Sequence, residues 1–131
     1  MKKNVFFLLF ALALSGCLER EIFTEINDRN AINHPPSSLR INDASGSLKS
    51  GFIDDPKGKY TAEVYIHSAH CTNAQSRSLG SDFDGYIRIT LKENNATIAR
   101  AQMDYKGEPD SDKIQQVYDH LLKKMQWKNV D

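Results

Sequence analysis

From Gly85 to Lys92 the chain alternates single apolar and polar residues. Ile87, Ile89 and Leu91 fall on one side of an extended chain, and Tyr86, Arg88, Thr90 and Lys92 on the other. That period of two marks a strand with one buried face. The same period runs from Tyr60 to His67, where Tyr60, Ala62, Val64 and Ile66 alternate with Thr61, Glu63, Tyr65 and His67. A third run spans Ala96 to Tyr105. Its more apolar set, Thr97, Ala99, Ala101, Met103 and Tyr105, is expected to face the core, with Ile98, Arg100, Gln102 and Asp104 turned away. Glu93-Asn94-Asn95 separates the last two runs as a turn, since asparagine tolerates the positive φ that tight hairpins need. An antiparallel hairpin follows.

After Gly107-Glu108-Pro109 the period lengthens. Ile114, Val117, Tyr118, Leu121, Leu122 and Met125 lie at i, i+3, i+4, i+7, i+8 and i+11, a continuous helical stripe. Asp110, Ser111 or Asp112 can cap its start, with Gln115 placed for a capping box with Asp112; Lys123, Lys124 and Lys128 suit its C-terminal dipole. The stripe must be buried, and the hairpin offers the large apolar face for it. The predicted fold class is α+β: a small antiparallel sheet of three or four strands with a C-terminal amphipathic helix packed on one face, over residues 60–131. So thin a core leans on neighbouring segments or on a partner.

Upstream, residues 17–59 read mainly as a flexible linker rich in Asn, Ser, Pro, Gly and Asp, with His34-Pro35-Pro36 and Asp54-Asp55-Pro56 as breakers. A coil from Asn27 to Lys59 reaches roughly 30 Å root-mean-square. Leu18 to Ile26 reads as either a short helix with Leu18, Ile22, Phe23 and Ile26 in one stripe or, over Glu21 to Ile26, an edge strand. Two apolar islands, Leu39–Ile41 and Leu48–Ile53, are candidates for an added strand.

The first residues carry an address. Lys2 and Lys3 precede an apolar run from Val5 to Leu14, with Ser15-Gly16 before Cys17: a secretory signal over residues 1–16, too short for a stable membrane span. Leu14-Ser15-Gly16-Cys17 resembles the lipobox of bacterial lipoproteins. That resemblance implies cleavage before Cys17, a lipid on its thiol, and acylation of the new amino terminus. Several acyl chains on one residue make detachment negligible, whereas one alone binds reversibly. In this class Leu18, rather than aspartate, after the cysteine implies sorting to the outer membrane, facing the periplasm.

Charge and cysteine narrow the partners. The formal net charge is zero, and loss of Lys2 and Lys3 with the signal makes the remainder slightly acidic. Nucleic acid and anionic lipid are therefore not expected as electrostatic partners. With Cys17 lipidated, Cys71 has no internal disulfide partner and is expected as a buried thiol or an intermolecular one.

Candidate chemistry is sparse. His67, His70 and Cys71, in HSAHC, are the densest set of metal-ligand types, although strand alternation turns His67 and His70 apart, and only His34 or His120 could complete a site. Asp82-Phe83-Asp84-Gly85-Tyr86-Ile87 resembles the middle of an EF-hand loop. However, Gly80 and Leu91 stand where its first acid and bidentate glutamate belong. Glu93-Asn94-Asn95-Ala96-Thr97 resembles the extended acceptor of bacterial N-glycosylation, making Asn95 a candidate site. No nucleophile elbow, phosphate loop, dinucleotide fingerprint or His-Glu-x-x-His occurs. No catalytic residue and no cofactor are assigned. Tyr65 and Tyr86, on the polar sides of their strands, would mark a contact surface if side by side.

The expected function is a lipid-anchored, non-enzymatic envelope lipoprotein acting as an accessory protein-binding subunit, held to the membrane through Cys17. Its strand–turn–strand–helix ending is similar to that of small accessory lipoproteins of outer-membrane machines, in architecture alone. A metal- or ligand-binding lipoprotein using His67, His70 and Cys71, or a structural, surface-exposed one, are the alternatives.

Overall fold

A computed structural model describes residues 21–68 and 83–127. In chain order they form β1 (Phe23–Ile26), a 3-10 turn (Arg29–Ala31), β2 (Arg40–Asn42), β3 (Tyr60–Ser68), β4 (Gly85–Glu93), β5 (Ala96–Tyr105) and α1 (Ser111–Met125). The strands make one sheet in the order β1-β5-β4-β3-β2. All neighbours are antiparallel except β2 with β3, which are parallel. The fold is α+β as expected, with five strands rather than three or four.

Both additional strands come from the stretch before Tyr60, expected to be mainly linker: β1 from the segment that reads as either a short helix or an edge strand, and β2 overlapping the Leu39–Ile41 island, a candidate for an added strand. β1 pairs with β5 from Phe23↔Gln102 to Ile26↔Ala99. β2 pairs with β3 from Arg40↔Thr61 to Asn42↔Glu63. At four and three residues they are too short for a period to emerge from sequence. The same stretch supplies Leu39 and Phe52 to the core, and Leu39 N–H donates to the Ile53 carbonyl at 2.9 Å. Polar composition hid this, because the apolar residues there are few but buried.

The β4–β5 hairpin holds an irregularity with a clear cause. Its turn sets Glu93 opposite Ala96, with Asn94 in the left-handed region at φ 54°. Continued regularly, that register would place Ile89 opposite Arg100 and put an apolar face against a polar one. One extra residue, Ile98, intervenes, so Lys92 meets Thr97 but Leu91 meets Ala99 and Ile89 meets Ala101. This β-bulge lets both apolar sets share one side of the sheet. It also buries Ile98, expected on the polar side, and frees its carbonyl to accept from Asn27 N–H at 2.7 Å and Asp28 N–H at 3.0 Å.

Helix α1 crosses β4 and β5 and buries the whole predicted stripe from Ile114 to Met125. Asp110 is the N-cap, accepting from Lys113 N–H at 2.9 Å. Gln115 closes no box with Asp112. Its amide instead donates to the Lys49 carbonyl and accepts from Lys49 N–H, both at 3.0 Å, and so fastens the 43–52 loop to the helix. At the far end Gln126, at φ 55°, donates to Lys123 and Trp127 N–H donates to Leu122, a Schellman ending. That ending folds Trp127 under the molecule. There its ring meets Phe52 and Tyr60 edge-on at 6.4 and 6.5 Å, and its Nε1–H donates to Ala31 at 2.8 Å. Asn33 N–H donates to Met125 at 2.8 Å, so the N-terminal segment also closes the helix end.

Candidate functional site

The helix covers one face of the sheet, and among the described residues no element covers the other. Alternation along β3, β4 and β5 places their polar sets on this open face, where β1 adds Phe23 and Glu25 through its register with Gln102 and Arg100. One cross-strand row runs Phe23–Gln102–Arg88–Tyr65, and the next runs Asp104–Tyr86–His67. Tyr65 and Tyr86 stand side by side on this face, with ring centroids 6.0 Å apart. Tyr65 is 53% exposed and Phe23 71%, large values for rings of this size.

Polar groups knit the rows together. Arg88 donates from both Nε (3.0 Å) and Nη2 (2.9 Å) to the Gln102 side-chain oxygen, and its guanidinium lies 5.1 Å from the Tyr86 ring centre. Arg100 pairs with Glu25 at 2.6 Å and Lys92 with Glu63 at 3.0 Å. Such exposed pairs contribute at most about 1 kcal/mol each, so they order the face more than they stabilise the fold. Between the first row and the Glu25–Arg100 pair lies an open depression of about 270 Å³ lined by Phe23, Glu25, Arg88, Arg100 and Gln102.

The sequence-derived candidates distribute unevenly. His67 ends β3 on the open face, exposed, with its ring stacked on Tyr86 at 4.9 Å. His70, Cys71 and Cys17 lie outside the described residues. His34 sits near the C-terminal end of α1, its Nδ1 3.0 Å from the Ile32 carbonyl. His120 is on α1, across the sheet from His67, and burial followed by the charges of Lys124 and Lys123 holds its imidazole below the ordinary range. Neither approaches His67, and among the described residues no three His, Cys, Asp or Glu side chains converge.

Asp84 and Gly85, in the segment that resembles a calcium loop, are tied into the sheet; Asp82 lies outside the described residues. Asp84 accepts from Gly107 N–H at 2.7 Å while its own N–H donates to Tyr105, closing the ends of β4 and β5. Gly85 opens a strand rather than a helix. A side chain there would collide with the His67 carbonyl and the Tyr105 ring, which passes beneath it to place its hydroxyl 3.0 Å from Ser68 Oγ. Asn95 stands exposed at the hairpin turn, accessible to modification.

Sequence reasoning placed Tyr65 and Tyr86 but missed Phe23, Gln102 and the organisation of Arg88. The bulge decides which residue faces Arg88, and β1 decides that Phe23 joins the face. Comparison with protein families, with curated proteins and with solved structures yields no match. No described helix is long and apolar enough to cross a membrane.

Proposed function

We propose that this protein is a lipid-anchored envelope lipoprotein that acts by binding another protein through the open face of its sheet. The observation carrying this reading is the ordered face itself, where Tyr65, Tyr86, Arg88 and Phe23 stand together on strands held rigid by the helix behind them. Tyrosine and arginine are the residue types that dominate interface energetics, and rigid placement lowers the entropic cost of association. The address rests on the lipobox-like Leu14-Ser15-Gly16-Cys17, with the outer membrane, periplasmic side, as the proposed site.

A lipid on Cys17 makes the tether short. Five residues separate it from Phe23, six Cα-to-Cα steps or at most about 21 Å of extended chain. This is a leash much shorter than a 17–59 linker would give, and it keeps the open face close to membrane-embedded partners.

The test is brief crosslinking in cells, gentle solubilisation, and capture through a C-terminal tag. One abundant, saturable companion is expected, absent when Tyr65→Ala and Tyr86→Ala are combined in a chain that unfolds at its usual temperature. Undiminished recovery with that double variant would remove this face from the reading. Mass analysis of the amino-terminal peptide tests the anchor, with an acylated Cys17 expected and a free thiol contradicting it.

A further inference from the structure

We infer that Arg88 is the receiving anchor of the open face, and that the protein partner inserts a carboxylate side chain into the depression between Arg88 and Phe23. The inference rests on the protein-binding reading above and names the chemistry of what is bound.

The charges on this face are almost all answered from within. Arg100 has Glu25, and Lys92 has Glu63. Arg88 differs: among the described residues no carboxylate pairs with it, and its two bonded nitrogens share one neutral amide oxygen. Asp104, two residues along β5, forms no ion pair with it either. Arg88 is also half-buried, at the centre of the sheet rather than its rim. Stacking on Tyr86 and the double bond to Gln102 fix its guanidinium plane, while Nη1 makes no bond to any described residue. A carboxylate is the complement of such a planar, pre-set cation.

The depression supplies the rest of the fit. Arg88 and Gln102 line it together with Arg100 and Glu25, which neutralise each other as an ion pair, and Phe23 adds an apolar ring two strands from Arg88, about 10 Å across the sheet. A protein segment with an acidic side chain and a neighbouring apolar one meets both. A half-buried arginine stacked on a tyrosine combines two of the residue types enriched at energetic hot spots.

A benzophenone-bearing phenylalanine at position 23, and separately at position 65, would report contact in cells expressing the full chain. The expected result is a protein adduct whose yield falls about tenfold or more with Arg88→Glu and is unchanged with Lys92→Gln. Gln102→Glu gives the second arm. It sets a carboxylate directly opposite Arg88, satisfies the cation internally, and should suppress the adduct while thermal stability holds or rises. Loss through misfolding would lower both. The crosslinked partner peptide should contain Asp or Glu, and reversing that acid to Arg should restore the adduct with Arg88→Glu. Full adduct yield in both Arg88→Glu and Gln102→Glu overturns the anchor while leaving protein binding intact. Adducts to lipid or glycan alone, or none from either position, remove the protein-binding reading and this inference together.

Discussion

The two faces of the sheet are built from the same three long strands, yet they obey different rules. On the covered side Ile87, Ile89, Leu91, Ala99, Ala101 and Met103 are all at or below 1% exposure and sealed by α1. Small residues on β5 there allow the helix to approach closely. On the open side the neighbours of these residues are large, polar and aromatic, and they touch one another more than they touch anything above them. The covered face holds the fold together by excluding water. The open face is a pattern of side chains displayed by that fold, and changes on it should separate binding from stability.

Substitutions should divide along this line. Trp127→Ala should cost the most, about 3–5 kcal/mol, because it empties a site walled by Phe52 and Tyr60 and removes one of the two donors to the Ala31 carbonyl, leaving His34 N–H. Urea unfolding followed by far-ultraviolet circular dichroism measures it. Gly85→Ala should cost about 3 kcal/mol, since the new methyl meets the His67 carbonyl and the Tyr105 ring. A Tm near the parent's would mean that the pairing of β3 with β4 yields more easily than its geometry indicates. Tyr118→Phe, which removes a 2.8 Å bond to Ser50, should lose about 1 kcal/mol with the helix intact.

Asp43 gives a smaller, pH-dependent effect. Burial opposes its ionisation, but the Ser45 hydroxyl and the N–H groups of Leu48, Ser45 and Ser47 outweigh it and hold the carboxyl below the ordinary range. A carboxyl depressed in the folded state contributes stability above its unfolded value and loses it as pH falls through the folded one. Asp43→Asn should therefore cost about 0.5 kcal/mol at neutral pH, after allowance for solvent screening, and progressively less as pH falls through the folded carboxyl's value. A difference independent of pH would assign the effect to loop geometry instead. Smallest in stability, Tyr65→Ala with Tyr86→Ala should shift unfolding by less than about 1 kcal/mol, on the scale of cross-strand pairs. A large loss of stability would show that the open face also supports the fold, and the contrast between the faces would weaken.

Much of the covered face was legible in the sequence. The three alternating runs and the helical stripe from Ile114 to Met125 each repeat often enough for the period to identify the element and its buried side. β1 and β2 were legible only as candidates, Glu21–Ile26 for an edge strand and Leu39–Ile41 for an added one, since strands of four and three residues carry too few repeats and sit among breakers. Part of the open face could be read too: Tyr65 and Tyr86 fall on polar sides of strands that pair. Phe23 and the Arg88–Gln102 contact could not be read, because each depends on a register.

What the sequence determined by itself is local: period, turn chemistry at Asn94-Asn95, a cap at Asp110, and the lipobox-like opening. These follow from residues within a few positions of one another. Tertiary structure alone decided which of the candidate segments would become edge strands, and that Trp127 would lock the N-terminal segment to the helix end. It also decided that a bulge at Ile98 would slide β5 until Gln102 met Arg88. Those outcomes join residues 14 to 96 positions apart, and a single chain read in order holds no record of which distant surfaces will meet when apolar area is buried.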